Sequence, residues 1–512
     1  MKAKESKFFG NKLVFFLSPL ILNLSYAPIS FFFISYFSLI PLFYYIEKLS
    51  PKKTFVYGFI YGFLFSVGHL WWLYFLKPEI ASSTRILLFI GIIVLFFYLA
   101  FYFALFSYLI KISSLYLAPF ILPILEFIRT KSEIGFPWGL LGYTQTNNLI
   151  FLNTASIWGI YGLSALVIFI NLLIYKIIFS DNKKQFVFLL GITIFSTTFY
   201  YFSRIKELSD HFQVALLQPN VSPEEKGTRE AQIKLLNQLI SMTKRAAQKK
   251  PHLIIYPETA SLIDITVDSP YKEFLKSIAD NYNCYLFIGT PRYENNEKGF
   301  RYYNGAVLFA PKKGIVGEYR KIRLVPFSER IPYYEKIKIF RLIETVDMGN
   351  YSKGEEYTVF QTDKTSFCCA ICFESIFPDL IREFVRRGAN MIVNITNDGW
   401  FGKTFGPYQH YELAIARAVE NGVPLIRCAN NGISLLCDPF GRIYQKSKLF
   451  KEEIIFGNVK IPLKNTIYRQ FGDWFIYFSI IVVLFYFIIK ILYPLFSFKK
   501  KYIPLLSSPL YF

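Results

Sequence analysis

Long apolar segments without charge constrain the fold of this chain more than any other feature of its sequence. The first such segment, residues 13–46, contains no Asp, Glu, Lys or Arg. A single helix of that length would be about 50 Å long at 1.5 Å per residue, which exceeds a hydrocarbon core of roughly 30 Å. We therefore divide the segment near residues 25–28, and it predicts two short membrane spans.

Six further apolar segments raise the predicted number of transmembrane helices to about eight. They cover residues 54–76, 86–110, 112–128, 153–175, 185–203 and 474–489. The segment at 112–128 is the weakest, because two prolines and a glutamate interrupt it. We predict a bundle of about seven spans over residues 1–209, a globular domain over 210–464, and a last span with a basic cytoplasmic tail over 465–512.

Positive charge at the ends of the spans predicts their orientation. The chain has a net charge of +21, and lysines precede the first span and follow the second, fourth, sixth and eighth. By the positive-inside rule, both termini are predicted to be cytoplasmic. Seven spans then place the globular domain on the outer, periplasmic side. No nucleic-acid-binding motif accompanies the charge, so we predict no nucleic-acid partner.

The composition also bounds the class of protein. Hydrophobic residues make up 53% of the 512-residue chain, and the mean hydropathy of +0.33 is too high for an ordinary soluble protein. All six cysteines lie in the polar middle region. Their spacing does not match common zinc-ligand patterns, and we predict neither a metal nor a cofactor. The single Cys-x-x-Cys, at Cys369 and Cys372, is a weak redox signal, and its alternative is two residues of one strand region.

The polar middle region alternates predicted strands and helices. We predict helices at residues 228–248, 271–280, 378–387 and 409–420. We predict strands at residues 212–218, 252–256, 284–289, 303–310, 315–319, 365–372, 390–395, 424–429, 433–438 and 453–459. This order mixes strand–helix units with hairpins, which favours an α/β domain of sheets covered by helices.

Three polar side chains are placed where predicted strands end. Cys372 ends the strand at 365–372, Glu258 follows the strand at 252–256, and Lys321 follows the strand at 315–319. Open α/β sheets usually build their sites at strand ends. The helix predicted to follow Cys372 also favours negative charge at its N-terminus, which is where a thiolate forms most easily. The alternative for a cysteine in an apolar strand is an inert core residue, and we interpret Cys368 and Cys369 in that way.

A carboxylate, an ammonium and a thiol suit acyl transfer. Glu258 would accept the thiol proton as the general base, and Cys372 would attack a carbonyl and form a thioester. Lys321 would stabilise the oxyanion of the tetrahedral intermediate. None of the four histidines is a good base for Cys372 by its sequence position, and we interpret His410 as structural.

Three segments resemble the Glu, Lys and Cys motifs of the nitrilase (carbon–nitrogen hydrolase) superfamily. They read Tyr-Pro-Glu-Thr-Ala at 256–260, Tyr-Arg-Lys-Ile-Arg-Leu-Val-Pro-Phe-Ser-Glu at 319–329 and Ile-Cys-Phe-Glu at 371–374. The whole chain is similar to the apolipoprotein N-acyltransferases, the membrane branch of that superfamily. The likeness includes the spans, Gly-Phe-Pro-Trp at 135–138 and Asn-Ile-Thr-Asn-Asp-Gly-Trp-Phe-Gly at 394–402. It implies a nitrilase-like αββα sandwich carried on a bundle in the bacterial inner membrane.

The resemblance also implies a two-step reaction. Cys372 would take an acyl chain from a membrane phospholipid, preferentially phosphatidylethanolamine. The thioester would then pass that chain to the N-terminal amine of a diacylglyceryl-cysteine lipoprotein. Glu329 and Glu374 match acidic positions that assist the three reacting groups. Trp138 and Phe373 match positions expected to contact the lipid, although Phe373 replaces the family's usual Tyr, so a role for that hydroxyl does not transfer.

Other interpretations stay open at this point. A membrane-tethered nitrilase or amidase that hydrolyses a small C–N bond would share the three reacting groups, although one anchor would suffice for it. A lipid-binding protein without catalysis would not need those groups. Residues 331–344 carry aromatic and aliphatic side chains at near-helical spacing, at Tyr334, Ile337, Phe340 and Ile343. They predict an arm that enters the membrane interface beside the site, or else a helix packed on the domain.

Overall fold

The computed structural model describes residues 11–76, 82–205, 207–221, 229–296, 299–334, 336, 351–461 and 465–500. Apolar helices form the N-terminal part and the C-terminal end, and two β-sheets with their helices lie between them. Most of the arm predicted at residues 331–344, including Ile337, Phe340 and Ile343, lies outside the described residues.

The predicted spans are helical, but they differ in length. Among the described residues, five helices are long and apolar enough to cross a membrane: Pro51–Phe75, Leu88–Ile112, Ala155–Phe179, Lys183–Arg204 and Trp474–Leu492. The other three predicted spans correspond to shorter helices, Lys12–Leu22, Ile40–Lys48 and Ala118–Arg129. Two of these short helices contain an internal proline, Pro19 and Pro123, which removes a backbone donor. The predicted break in the first apolar segment is confirmed, because a short 3₁₀ turn, Asn23–Ser25, follows the first helix.

Small residues allow close helix packing inside the bundle, and exposed apolar side chains cover its outside. Gly58 and Gly62 let the helix Pro51–Leu70 approach the helix Ser82–Ile112, since a Cβ at either position would lie within 3 Å of Phe103 or Ser107. On the outer surface, Phe188, Phe195 and Phe202 of Lys183–Arg204 are about 70% exposed. A hydrocarbon layer covers such apolar surface at no hydration cost, as expected of a membrane-embedded helix.

Within the described part of the middle region, the strands form two six-stranded sheets. The strands are β1 Phe212–Gln218, β2 Leu253–Ile255, β3 Tyr285–Asn296, β4 Gly299–Ala310, β5 Gly314–Arg320, β6 Val359–Gln361, β7 Ser366–Ile371, β8 Ile392–Thr396, β9 Leu425–Ala429, β10 Leu435–Cys437, β11 Ile443–Lys446 and β12 Glu453–Val459. The first sheet has the order β12-β1-β2-β3-β4-β5, and the second has the order β11-β10-β9-β8-β7-β6. In the first sheet, β1 pairs in parallel with β2, and β2 with β3; in the second sheet, β7 pairs in parallel with β8, and β8 with β9.

The period of two along each strand explains how the layers form. In β1, Val214 and Leu216 face the second sheet, whereas Ala215 and Leu217 face the helices Arg229–Ala247 and Pro270–Tyr282. The second sheet is covered by the helices Pro378–Arg386 and Gly406–Asn421. The predicted αββα sandwich is therefore confirmed.

The helix Gly406–Asn421 also joins the sandwich to the bundle. The bundle helix Ala155–Phe179 is interrupted at Gly159, whose φ of +70° is not helical. The carboxylate of Glu420 accepts a hydrogen bond from the Ile160 N–H that this break releases, at 2.8 Å. Arg417 pairs with the same carboxylate at 2.9 Å, and both side chains are fully buried. The bundle and the sandwich thus share one continuous core.

Candidate active site

Cys372 stands at the sharp turn that follows β7. It begins the 3₁₀ helix Cys372–Ile376 and has a φ of +52°, which is a strained value for a residue other than glycine. Its carbonyl oxygen accepts hydrogen bonds from the Ser375 hydroxyl at 2.9 Å and from His410 Nε2 at 3.2 Å. These contacts hold the turn in the conformation that presents the thiol.

Glu258 follows β2 and is held by both sheets. Its Oε1 accepts a hydrogen bond from Asn304 Nδ2 at 2.8 Å and lies 3.8 Å from the ammonium of Lys321. Its Oε2 accepts a hydrogen bond from the backbone N–H of Asn397, just beyond β8, at 2.9 Å. The carboxylate is therefore fixed in direction before any substrate arrives.

Lys321 follows β5 and is 1% exposed. Its ammonium donates to Glu329 Oε1 at 2.8 Å, and the backbone N–H of Lys321 donates to the carbonyl of Asn304 at 2.8 Å. The other oxygen of Glu329 accepts a hydrogen bond from the N–H of Val325, also at 2.8 Å. The cation thus lies between two carboxylates, those of Glu258 and Glu329.

Glu374 connects the Cys372 turn to the segment that follows Lys321. Its Oε1 accepts hydrogen bonds from the Tyr319 hydroxyl and from the N–H groups of Ile322 and Arg323, at 2.7, 2.7 and 2.9 Å. Its Oε2 accepts one from the N–H of Ile371 at 2.8 Å. Because the group is fully buried and bonded on both oxygens, we interpret it as a brace between the sheets and not as a reacting group.

The ionisation of the three central groups is coupled. Burial and then the negative charge of Glu258 raise the pKa of the Cys372 thiol, against the opposing effect of Lys321. Burial also raises the pKa of Glu258, again opposed by Lys321. Burial alone would lower the pKa of Lys321, but Glu329 and Glu258 outweigh it and raise that pKa. These surroundings oppose the readily formed thiolate expected from the helix N-terminus and favour a protonated Cys372 that passes its proton to a base.

The structure brings five of the predicted residues together: Glu258, Lys321, Glu329, Cys372 and Glu374. The two aromatic residues are placed differently. Trp138 is 3% exposed and contacts the sandwich from the bundle side through His410. Phe373 is buried, and its ring packs edge-on against Phe377 with centroids 5.1 Å apart. Contact of either ring with lipid stays a prediction.

Several polar residues at the site were not predicted. Asn304 bonds to Glu258 and also to Glu329, at 3.1 Å. His410, which the sequence indicated as structural, contacts the Cys372 carbonyl and lies 2.9 Å from Asp398. The only signal for this group in the sequence was the polar run that contains Asn397 and Asp398, directly after an apolar strand.

Comparison with known proteins agrees with this architecture. The carbon-nitrogen hydrolase family matches residues 213–465, which contain both sheets and all five clustered residues. The apolipoprotein N-acyltransferase N-terminal domain matches residues 18–173, within the bundle. The fold and the site thus define a carbon–nitrogen hydrolase domain joined to a membrane bundle.

Relatives along the whole chain identify the family. The apolipoprotein N-acyltransferase of Geobacter metallireducens is 32% identical over 476 residues, which cover 90% of this chain and 91% of that relative. The one from Rickettsia typhi is 31% identical, with 93% and 97% covered. The chain belongs to the apolipoprotein N-acyltransferase family. Among solved structures, a nitrilase-superfamily member from Saccharomyces cerevisiae is 23% identical, with 50% of this chain and 92% of that one covered and a TM-score of 0.39.

Proposed function

We propose that this protein transfers an acyl chain from a membrane phospholipid, through a thioester on Cys372, to the N-terminal amine of a diacylglyceryl-cysteine lipoprotein. The observation that carries this proposal is the group of buried Glu258 and Lys321 with half-buried Cys372, in a sandwich that shares its core with a membrane bundle. The alternative, a tethered amidase, is not favoured, because the bundle itself matches the acyltransferase family.

In the first step, Glu258 accepts the thiol proton while the Cys372 sulfur attacks the ester carbonyl of the phospholipid. Negative charge develops on the carbonyl oxygen, and the ammonium of Lys321 stabilises it. One well-placed donor of this kind typically contributes about 3–4 kcal/mol. The intermediate then collapses to the thioester, and the alkoxide of the lysophospholipid takes the proton from Glu258. Phosphatidylethanolamine is the proposed donor.

In the second step, the neutral N-terminal amine of the acceptor attacks the thioester. Glu258 removes a proton from the attacking nitrogen, and Lys321 again stabilises the oxyanion. The amide forms as the Cys372 sulfur leaves, and Glu258 returns its proton to the thiolate. Because the pKa of the Cys372 thiol is raised, reprotonation is favourable and resets the enzyme.

The supporting residues have distinct proposed roles. Glu329 keeps Lys321 charged and fixed through their 2.8 Å hydrogen bond. Glu374 holds the Cys372 turn in a fixed position relative to Lys321. Trp138 and Phe373 are proposed to act where lipid approaches the site.

We also propose the location that the charge pattern predicts. The protein would lie in the bacterial inner membrane, with the catalytic domain on the periplasmic side and both termini in the cytoplasm. The division into residues 1–209, 210–464 and 465–512 is part of the same proposal. Reporter fusions after Asp210 test it: active alkaline phosphatase there supports the orientation, and an active cytoplasmic reporter there contradicts it.

Trapping the thioester tests the reaction. Purified full-length protein in detergent is incubated with a phospholipid carrying a radiolabelled palmitoyl chain and no acceptor. We expect a hydroxylamine-sensitive palmitoyl adduct that is absent from C372A and present in C369A, a buried cysteine of the preceding strand. An adduct that persists in C372A, or hydrolysis of small amides in place of acyl transfer, would contradict the proposal.

A further inference from the structure

We infer that His410 is a positioning residue, through which the membrane bundle holds the Cys372 turn in its reactive conformation. The inference rests on the proposed function only in taking Cys372 as the nucleophile. His410 lies on the helix Gly406–Asn421, is 1% exposed, and is wholly enclosed between the turn, the second sheet and the bundle.

The hydrogen bonds of His410 fix which ring nitrogen carries a proton. Nε2 lies 3.2 Å from the carbonyl oxygen of Cys372, which can only accept, so Nε2 must donate. On the other side of the ring, Nδ1 lies 2.9 Å from Asp398 Oδ1 and 3.1 Å from Arg427 Nη2. Whether Nδ1 donates to Asp398 or accepts from Arg427, the donor to Cys372 is unchanged.

A buried scaffold holds the ring in turn. Arg427 Nη2 donates to Asp398 Oδ2 at 2.8 Å, and the Thr396 hydroxyl donates to Asp398 Oδ1 at 3.1 Å. Arg427 and Thr396 belong to neighbouring strands, β9 and β8, and Asp398 directly follows β8. His410 is therefore oriented by the rigid core of the second sheet.

The contact matters because the Cys372 turn is strained. A residue other than glycine at φ +52° holds that conformation only where its surroundings enforce it. A hydrogen bond to the Cys372 carbonyl fixes the plane of the following peptide, because that peptide is rigid and planar. It thereby fixes the direction of the Phe373 N–H and the backbone from which the thiol projects.

The bundle contacts the face of the same ring. The indole of Trp138 stacks on His410, with ring centroids 5.6 Å apart and planes 28° apart. The indole N–H groups of Trp138 and Trp72 both donate to the Gln409 side-chain oxygen, at 2.8 and 3.0 Å. The two bundle tryptophans thus fix Gln409, the residue next to His410, and Trp138 also covers one face of the His410 ring.

His410 exchanges no proton with substrate in this arrangement, since its Nε2–H is used by a backbone carbonyl. Its effect is on the placement of reacting atoms. A misplacement of about 1 Å at a reacting centre can cost on the order of 100-fold in rate. A positioning role therefore predicts a loss in the acylation rate and not in substrate affinity.

A pair of amide variants separates positioning from mere structure. In H410Q, the side-chain amide can place an N–H where Nε2 was, and in H410N the amide can reach only the Nδ1 side toward Asp398. We expect H410N to lower the rate of Cys372 acylation by 10–100-fold with the KM for lipid unchanged. We expect H410Q to stay within about threefold of the wild-type rate. Equal loss in the two variants, or a change confined to KM, would overturn the inference.

Two further measurements keep the result interpretable if H410N fails to fold. The rate of Cys372 alkylation by iodoacetamide reports on the turn without any acyl donor, so it remains readable even if the proposed lipid reaction is wrong. W138L removes the stacked ring, and W138F keeps it. We expect W138L to slow both alkylation and acylation by a short-chain soluble thioester about tenfold, and W138F, which loses only the indole N–H to Gln409, to slow them less. An effect of W138L on the KM for phospholipid alone would overturn the link between the bundle and Cys372.

Discussion

The two sheets of the sandwich contribute different chemistry to the same site. The first sheet supplies the charged groups, Glu258 after β2 and Lys321 after β5. The second supplies the thiol of Cys372 after β7. On the first sheet, the charges hold one another in place through direct pairing. On the second, the backbone of the nucleophile is held by Ser375 and His410.

This difference indicates how each half of the site is stabilised. Removal of a charge from the first sheet changes the chemistry directly, since those groups move protons and neutralise the oxyanion. Changes on the second sheet act through the geometry of the turn. The contacts that cross between the halves include Glu258 with the Asn397 N–H, and Glu374 with the Tyr319 hydroxyl and the segment after Lys321. Variants of the charged groups and variants of the Cys372 turn test whether the two halves of the site differ in this way.

The largest effect is expected from E258Q, which removes the base from the first sheet. The amide keeps the size of the side chain but cannot accept the thiol proton. Because the pKa of the Cys372 thiol is raised, little thiolate forms without the base. General-base catalysis typically contributes 10²–10⁴-fold, so we expect acylation to slow by about 10³-fold.

Pre-steady-state acylation with a labelled phospholipid measures this loss. The matched control is E383Q, because Glu383 lies on the helix Pro378–Arg386 and its carboxylate pairs with Arg387. An E258Q rate within tenfold of wild type would mean that another group accepts the thiol proton.

A smaller effect is expected from E374Q, which weakens the brace between the sheets. The amide nitrogen cannot accept the hydrogen bond from the Ile371 N–H, so one buried donor loses its partner. Such a loss costs about 1–3 kcal/mol. We expect a lower thermal midpoint in detergent and an acylation rate reduced about tenfold, because the turn shifts relative to Lys321.

The contrast with Glu258 makes this outcome informative. If E374Q abolished acylation as completely as E258Q while leaving the thermal midpoint unchanged, Glu374 would be a reacting group and the brace interpretation would be wrong.

The smallest effect is a shift in pH dependence caused by E329Q. Glu258 must be ionised to act as a base, so activity falls as the pH drops through its pKa, which burial holds above the ordinary range. Glu329 adds to that rise through its negative charge. Removal of this charge should therefore move the acidic limb of the acylation profile to lower pH.

The profile of acylation rate against pH, at saturating lipid, measures the shift. The control is E318Q, because the Glu318 carboxylate pairs with Arg292 and Arg320 and not with Lys321. A limb that moves to higher pH would show that Glu329 acts on a group other than Glu258.

The sequence predicted most of the fold, and the misses have local causes. Both β1 and β12 have the predicted bounds, and each contains an apolar run, at residues 214–217 and 454–456. The prediction missed β6 and β11, which are short and, unlike the equally short β2 and β10, are not fully buried, so no apolar run marks them. The hairpin of β3 and β4 extends past the predicted ends because its outer part is polar and pairs beyond the buried sheet.

The candidate site was predicted unevenly for a similar reason. Glu258, Lys321 and Cys372 follow apolar strands and belong to recognisable motifs. Asn304 sits inside β4, and its function depends on a carboxylate 46 positions away in the chain. The role of His410 likewise depends on the turn 38 positions before it. Such partnerships join residues that are distant in the sequence and form only in the folded chain, so local sequence patterns do not predict them.

The break at Gly159 has a consequence for how far the sandwich can be treated as a module. The carboxylate of Glu420 completes the broken membrane helix by accepting the Ile160 N–H, and Arg417 is buried with it. If the chain were cut after Arg204 to produce the sandwich alone, an ion pair and an apolar helix face adapted to a protein neighbour would meet water. Grafting this sandwich onto a foreign membrane anchor would therefore also need the bundle helix Ala155–Phe179. The smallest transferable unit is thus larger than the hydrolase fold.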